Sequence, residues 1–220
     1  MSNQITESHT NPLRICVFCG SQPGNGQAHL EAARALAHSL HVAGAELIYG
    51  AGTTGIMGEM AKTLVKESGP QSVHGIIPRS FLEKERPTTP SKEEKDSKKN
   101  TAPQSTLPAT SDSGRIILVD DLPARKKFMC ELISEGAPGS GFIALTGGFG
   151  TMDELVEMVT LRQHGDHKAR VCLLNVGGFW DPLLQWMEIA IEGGFIRKEA
   201  RGMLAARETA EECIAWLKDA

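Results

Sequence analysis

Short apolar runs alternate regularly with amphipathic helical segments along this sequence. Strands are predicted over 13–19, 46–49, 73–77, 115–119, a run ending at 145, and 171–175. Helices are predicted from about Gln27, Gly55, Pro123 and Met152, and near 181–193 and 208–218. This alternation is typical of a parallel sheet connected by crossover helices. We therefore predict a single α/β domain over 13–220, a doubly wound Rossmann-like parallel sheet flanked by helices, with ligands at the carboxyl ends of its strands.

Two segments fall outside the alternation. Residues 1–12 are polar, and residues 87–114 contain four prolines, many Ser, Thr and Lys residues, no aromatic residue and one large aliphatic residue, Leu107. Such a composition cannot build a hydrophobic core. We expect a disordered N-terminal tail at 1–12 and a disordered insertion at about 87–114.

A glycine-rich turn joins the strand ending at Leu145 to the following helix. The segment from Leu145 to Glu154 reads Leu-Thr-Gly-Gly-Phe-Gly-Thr-Met-Asp-Glu. Glycines permit close backbone approach, and the N–H groups and dipole of a helix N-terminus attract anions. The turn therefore suits a 5′-phosphate. The alternative is that Thr151-x-x-Glu154 is only a capping box, a device that needs no preceding glycines.

Three cations, Arg125, Lys126 and Lys127, fall in the first turn of the helix predicted from Pro123. The helix dipole disfavours cations at that end, so their placement indicates an anionic partner. The alternative is a solvated basic face. Arg125 offers a planar donor fork that stays charged, which suits electrostatic stabilisation better than proton transfer.

Together these two motifs resemble the Lonely Guy family, the cytokinin riboside 5′-monophosphate phosphoribohydrolases. Gly-Gly-Phe-Gly-Thr-Met-Asp-Glu matches its GGxGTxxE signature, and Arg125-Lys126-x-x-Met129 matches the Arg-Lys-x-x-Met segment that precedes it. Further likeness covers 14–85 and 115–217. The chain departs from the family at Thr146, where Pro is usual, and at Ala51, which interrupts a glycine triplet.

The resemblance implies hydrolysis of the N-glycosidic bond in an N6-modified or plain adenosine 5′-monophosphate, releasing the base and ribose 5-phosphate. Arg125 and Glu154 are the implied catalytic residues, with Glu154 stabilising the oxocarbenium ion and orienting water. The implied substrate-binding residues are Ser21, Thr53, Met57, Glu85, Lys126, Gly147, Gly148, Gly150, Thr151 and Thr160. No metal or organic cofactor is implied. The family's sites are completed across a twofold dimer, so we expect a homodimer.

Other functions fit parts of the pattern. Related folds carry phosphorylated cofactors such as molybdopterin on similar glycine turns, so a non-catalytic carrier is one alternative. Gly50-x-Gly52-x-x-Gly55 also matches a dinucleotide-binding turn. Such a site usually needs an acidic residue about 20 positions on, where this chain has Arg79, which suits the 2′-phosphate of an NADP-binding oxidoreductase. Nothing marks the Schiff-base lysine that a decarboxylase would need.

Charge and cysteine usage exclude further classes. A formal charge of −4 over 220 residues gives no electrostatic reason to expect nucleic acid or an anionic membrane as partner. Neither a signal peptide nor a long apolar run is present, so we expect a cytoplasmic protein. Cys16 and Cys19 lie in one predicted strand, whose alternation sends them to opposite faces, which argues against a redox or metal pair.

Overall fold

The computed structural model of the protein describes residues 11–81, 105–110 and 114–219, with only the backbone of 105–110 described. Its strands are β1 (Arg14–Phe18), β2 (Glu46–Tyr49), β3 (Val73–Pro78), β4 (Ser105–Thr110), β5 (Gly114–Val119), β6 (Gly141–Ala144), β7 (Arg170–Leu174) and β8 (Leu204–Arg207). Its helices include α1 (Ala28–Ala43), α2 (Gly55–Ser68), α3 (Leu122–Ser134), α4 (Phe149–His164), α5 (Asp181–Glu192) and α6 (Ala210–Lys218).

The strands form one sheet in the order β4-β5-β3-β2-β1-β6-β7-β8. Every neighbouring pair is parallel except β4 with β5. The order reverses at β1, which lies between β2 and β6, so the crevice outside the carboxyl ends of β1 and β6 is the topological switch point. The predicted doubly wound α/β sheet is therefore confirmed.

Two strands were not predicted, and one of them corrects the predicted insertion. Residues 105–110 form β4 and pair antiparallel with β5, so the expectation of disorder across 87–114 is wrong for these six residues. Backbone pairing to a sheet edge needs no apolar core. Pro108, which has no N–H to donate, falls where the register shifts between Leu107 and Thr110. The rest of that segment lies outside the described residues.

The predicted N-terminal tail also ends earlier than expected. Residues 1–10 lie outside the described part of the chain, but the carbonyl of Pro12 accepts a hydrogen bond from the N–H of Ala137 at 2.9 Å. Pro12 is therefore held against the loop that precedes β6 rather than belonging to a disordered tail.

The helices cover both faces of the sheet and bury a core on each. α1, α2 and α6 contribute Leu36, Leu64 and Leu217 to one apolar cluster. α3, α4 and α5 contribute Met129, Met158 and Ile191 to the other. Each amphipathic helix therefore buries its apolar stripe against the sheet, as the periodicity of the sequence predicts.

The two clusters also settle the placement of Cys16 and Cys19. Cys16, in β1, belongs to one cluster and Cys19, just after β1, to the other, which confirms that they lie on opposite faces of the sheet. Burial raises the pKa of both thiols.

Among the described residues, no group of three or more His, Cys, Asp and Glu side chains could hold a metal ion. None of the described helices is long and apolar enough to cross a membrane.

Candidate active site

The glycine turn leads into a helix whose N-terminus is open. α4 begins at Phe149 with Gly148 as its N-cap, and none of the described side chains caps it. Its first turn holds no acidic residue. The amides of Phe149, Gly150 and Thr151 have no carbonyl partner within the helix, because the first N–H groups of any helix lack one. They are therefore available to an anion.

The capping-box alternative for Thr151 and Glu154 is wrong. A true box with the same Thr-x-x-Glu spacing starts α6, where the N–H of Glu212 donates to Thr209 Oγ1 at 3.2 Å and the N–H of Thr209 donates to Glu212 Oε2 at 3.3 Å. α4 instead begins two residues before Thr151, which places Thr151 inside the helix and buries it. The Glu154 carboxylate is left for another partner.

That partner is Arg125. Asp121 caps α3 by accepting a hydrogen bond from the N–H of Ala124 at 2.8 Å, which fixes where α3 starts. One residue later, Arg125 Nη2 donates to Glu154 Oε1. The two side chains are only 15% and 9% exposed, so water screens their charges little. Arg125 Nε is also buried and has no hydrogen-bond partner among the described residues.

Burial and Arg125 act on the Glu154 pKa in opposite directions. Burial raises the pKa, the guanidinium of Arg125 lowers it, and the net result is a pKa above the usual value of 4.5. Desolvation disfavours the charged carboxylate, whereas the adjacent cation favours it. Glu154 is thus a more basic carboxylate than a surface glutamate, and a positive charge beside it would favour its ionised form.

The three cations at the start of α3 have different surroundings. Lys126 is 13% exposed on its side chain and pairs with Glu157 and, at 2.9 Å, with Asp153. Its pKa is raised, because the two carboxylates outweigh the lowering by burial. Only Lys127 fits the solvated-face alternative, with a side chain 79% exposed.

A cleft of about 470 Å³ lies at the switch point beside the glycine turn. Its lining comes from the ends of β1, β6 and β7, from α1 and from α2: Gly20, Ser21, Gln22, Gly24, Asn25, His29, Ile56, Thr146, Gly147, Gly148 and Phe179. The N–H of Gly20 donates to the Thr146 carbonyl at 3.0 Å, which holds the two loops together. A β-carbon on Gly147 would lie 2.1 Å from Thr151 Oγ1, so this close packing requires glycine.

The turn from Gly50 to Gly52 brings Met57 to Arg125. A β-carbon at Gly52 would lie 2.6 Å from Met57 Cε, and one at Gly50 would lie 3.3 Å from Met57 Sδ and 3.5 Å from Arg125 Nη1. The chain's own side chains therefore occupy the space over these glycines, where a dinucleotide would need to approach the backbone. The N–H of Met57 also donates to the Gly20 carbonyl at 3.3 Å, which links this turn to the cleft.

Most of the predicted site residues therefore lie along one stretch of the sheet's carboxyl edge. Ser21, Gly147 and Gly148 line the cleft, and Gly150 and Thr151 lie in the first turn of α4. Thr53 lies on the β2–α2 connection, and Met57 lies in the first turn of α2, beside Arg125. Glu85 lies outside the described residues, so its role stays a prediction.

Thr160 is not brought into the cleft. It lies on α4 nine residues beyond Thr151, about 13 Å along the helix axis. Its hydroxyl donates to the Val156 carbonyl at 2.7 Å. It lines a separate open groove of about 630 Å³ together with Phe149, Met152, Asp153, Val156, Glu157 and Leu161.

His29 and Phe179 are two of the cleft residues that the sequence did not predict. His29 lies in the first turn of α1, and its Nδ1 is 3.2 Å from Thr146 Oγ1. Phe179 follows Gly177 and Gly178, which both have positive φ, and is 43% exposed at the cleft. Neither residue belongs to a motif, and only the fold brings them to the glycine turn.

Comparison with known proteins identifies the family. The chain is 35% identical to a cytokinin riboside 5′-monophosphate phosphoribohydrolase of Arabidopsis thaliana over 216 residues, covering 98% of this chain and 87% of that protein. It is 34% identical to the phosphoribohydrolase LOG of Oryza sativa subsp. japonica, covering 94% of this chain and 73% of that protein. The chain belongs to the Lonely Guy family. A bifunctional cytokinin biosynthesis protein of Fusarium pseudograminearum is 41% identical over 94% of this chain, which spans 40% of that relative's length.

Two further similarities concern the lysine decarboxylase and the cofactor-carrier alternatives. Residues 57–217 match the protein family described as "Possible lysine decarboxylase". Lys126, the lysine beside the Arg125–Glu154 pair, has a raised pKa, whereas a Schiff-base lysine needs a lowered one. The molybdenum cofactor carrier protein of Chlamydomonas reinhardtii has a TM-score of 0.59 at 17% identity, covering 94% of this chain and 97% of that protein. That likeness shows the fold alone.

Proposed function

We propose that this chain hydrolyses the N-glycosidic bond of adenosine 5′-monophosphates, with an N6-modified or a plain base, and releases the base and ribose 5-phosphate. One observation carries the proposal: the buried Arg125–Glu154 pair lies one helical turn from an uncapped helix N-terminus. The phosphoribohydrolase names of the relatives from Arabidopsis and rice support the same reaction.

The glycine turn would bind the 5′-phosphate. The open amides of Phe149, Gly150 and Thr151 and the positive end of the α4 dipole suit an anion, and Gly148 and Gly150 leave space for one to approach. A ribose extending from that phosphate reaches the next turn of α4, where Glu154 lies. The remote phosphate then positions the reacting carbon.

Glu154 would act on the anomeric carbon. As the base departs, positive charge builds on the ribose, and a buried carboxylate beside it stabilises that charge strongly because little water screens the interaction. The same carboxylate can accept a proton from the attacking water. Its raised pKa makes it a better base than a surface glutamate.

Arg125 would hold and tune Glu154 rather than transfer a proton. Its guanidinium stays charged, and its hydrogen bond keeps the Glu154 carboxylate at one position. The cation also keeps a buried carboxylate from remaining protonated. This division of roles needs no metal and no organic cofactor.

The separate groove on α4 would be the contact surface of a homodimer. Phe149 is 97% exposed, and Met152 and Val156 continue the apolar stripe along the same helix. Thr160, a substrate contact implied by the family resemblance, lies in this groove and not in the chain's own cleft. A twofold partner packed on α4 would bring its own Thr160 toward the neighbouring site.

Product analysis tests the reaction. The protein is incubated with adenosine 5′-monophosphate and with N6-isopentenyladenosine 5′-monophosphate, and the free base and ribose 5-phosphate are quantified. The proposal requires both products in equal amounts. Release of phosphate with intact nucleoside, or binding of the nucleotide without any product, would contradict it, and the latter would favour the carrier alternative.

A further inference from the structure

We propose that His29 is a further binding residue for the 5′-phosphate, oriented by Thr146 and acting opposite the open amides of α4. The inference rests on the proposed function, because it names a residue that recognises the phosphate in that same cleft. His29 lies in the first turn of α1 and lines the cleft with Ser21, Gly147 and Gly148. No motif in the sequence points to it.

Thr146 fixes the imidazole. Its side chain is buried, and its Oγ1 lies 3.2 Å from His29 Nδ1. Its carbonyl accepts the Gly20 N–H at 3.0 Å, so the residue just before the glycine turn ties together β1, β6 and α1. Proline at this position would have no hydroxyl and could not hold the ring.

The bond to Thr146 decides what the other ring nitrogen can do. When the Thr146 hydroxyl donates to Nδ1, Nε2 of the neutral ring carries the proton and can donate, and this is the tautomer that the proposal requires. Among the described residues, no hydrogen bond involves His29 Nε2. An anion bound at the glycine turn would give it an acceptor.

Gly24 makes room for the ring. A β-carbon at Gly24 would lie 2.9 Å from His29 Cδ2 and 3.6 Å from Nε2, and the φ of +74° there favours glycine. The β1–α1 loop can therefore pack its backbone beside the imidazole. The ring has Thr146 at one edge and lies where a β-carbon on Gly24 would stand at the other, so little side-chain freedom is lost when a ligand binds.

The test separates recognition of the phosphate from support of the fold. In His29→Asn the amide can retain the contact to Thr146 but has no group in place of Nε2, whereas the longer amide of His29→Gln can reach the Nε2 position. His41→Asn is the matched control. His41 lies on the same helix and is exposed, and its Nδ1 forms a hydrogen bond with Ser68 Oγ at 2.8 Å, as His29 Nδ1 does with a threonine hydroxyl. Inhibition constants for ribose 5-phosphate and for adenosine are measured with each variant, alongside kcat and KM for adenosine 5′-monophosphate.

We expect His29→Asn to raise the inhibition constant of ribose 5-phosphate and the KM for the nucleotide about 10- to 100-fold, the size of one hydrogen bond to a charged group. The inhibition constant of adenosine, which has no phosphate, should stay within about twofold, and His29→Gln should recover part of the loss. Equal weakening of both inhibitors, or no change in either, would overturn the inference. If the parent protein releases no base from any nucleotide, the proposed function itself fails, and inhibitor binding measured by calorimetry still tests His29.

Discussion

Replacing Glu154 by glutamine should abolish base release while substrate binding stays measurable. The amide keeps the size of the carboxylate and can still accept a hydrogen bond from Arg125, so the site should keep its shape. What it loses is the negative charge. The loss should therefore fall on the transition state, in which the ribose is positive, rather than on the ground state.

The size of the effect follows from the burial of Glu154. A carboxylate about 4 Å from a unit positive charge contributes about 4 kcal/mol at an effective dielectric constant of about 20. That corresponds to roughly a thousandfold in rate. Arg125 offsets part of this attraction, and partial charge development offsets more, so we expect kcat to fall by about 10²–10⁴-fold, the range usual for general acid–base groups.

Glu212→Gln provides a matched control. Glu212 occupies the same position of a Thr-x-x-Glu sequence, but its carboxylate caps α6 and does not line the cleft. Glutamine also serves in a capping box, so stability should change by less than about 0.5 kcal/mol and turnover should not change. The assay is chromatography of free base at saturating substrate, with calorimetry of substrate binding and thermal denaturation of each variant. Activity of the Glu154 variant within a few-fold of the parent would refute its assigned role.

Three further predictions address the anion site, the pH dependence and the assembly. Gly150→Ala should not lower the melting temperature, since its β-carbon meets open space and alanine favours a helix more than glycine does, but it should raise KM for the nucleotide at least tenfold. Gly202→Ala, equally open and outside the site, should leave KM unchanged, and an unchanged KM in Gly150→Ala would contradict a phosphate at this turn. Because burial raises the Glu154 pKa, kcat should fall as the pH decreases through a midpoint above 4.5. The residual activity of Glu154→Gln should not show this fall at acidic pH. A midpoint at or below 4.5 in the parent protein would mean that the carboxylate is not desolvated. Phe149→Ser should convert a dimer to a monomer, as measured by light scattering. Phe195→Ser is the control, because Phe195 is 89% exposed but lies outside α4, and it should leave the dimer intact. If neither variant dissociates the dimer, the interface does not lie on α4.

Much of the fold could be predicted from the apolar runs, because strands buried on both faces have nearly continuous apolar sequences. β8 escaped prediction because Leu-Ala-Ala-Arg is short and only Leu204 is buried. β4 escaped because an edge strand depends on backbone pairing rather than composition. α4 starts at Phe149 rather than Met152, because glycines that favour a turn in isolation can still serve as N-cap and first-turn residues when the helix packs on a sheet.

Less of the site than of the fold could be predicted from the sequence. The motif indicated that Glu154 and Arg125 matter, but not that they contact each other across 29 residues, and the Thr-x-x-Glu spacing also fitted a helix cap. The Thr-x-x-Glu spacing by itself cannot distinguish the capping box of α6 from the open N-terminus of α4, since the difference lies in where each helix begins. Thr160 was predicted to contact substrate, yet only the structure separates it from the chain's own cleft.

Phosphate binding at the glycine turn is tested by comparing base release from an adenosine 5′-monophosphate with base release from the matching nucleoside at equal concentration. The glycine turn contributes binding energy only through a phosphate, and each hydrogen bond from its amides to that charged group is worth about 1.5–3 kcal/mol. Two such contacts predict a preference for the monophosphate of at least about a hundredfold in kcat/KM. Comparable rates on the two substrates would mean that the open N-terminus of α4 does not bind the phosphate, and the proposed positioning of Glu154 would be wrong.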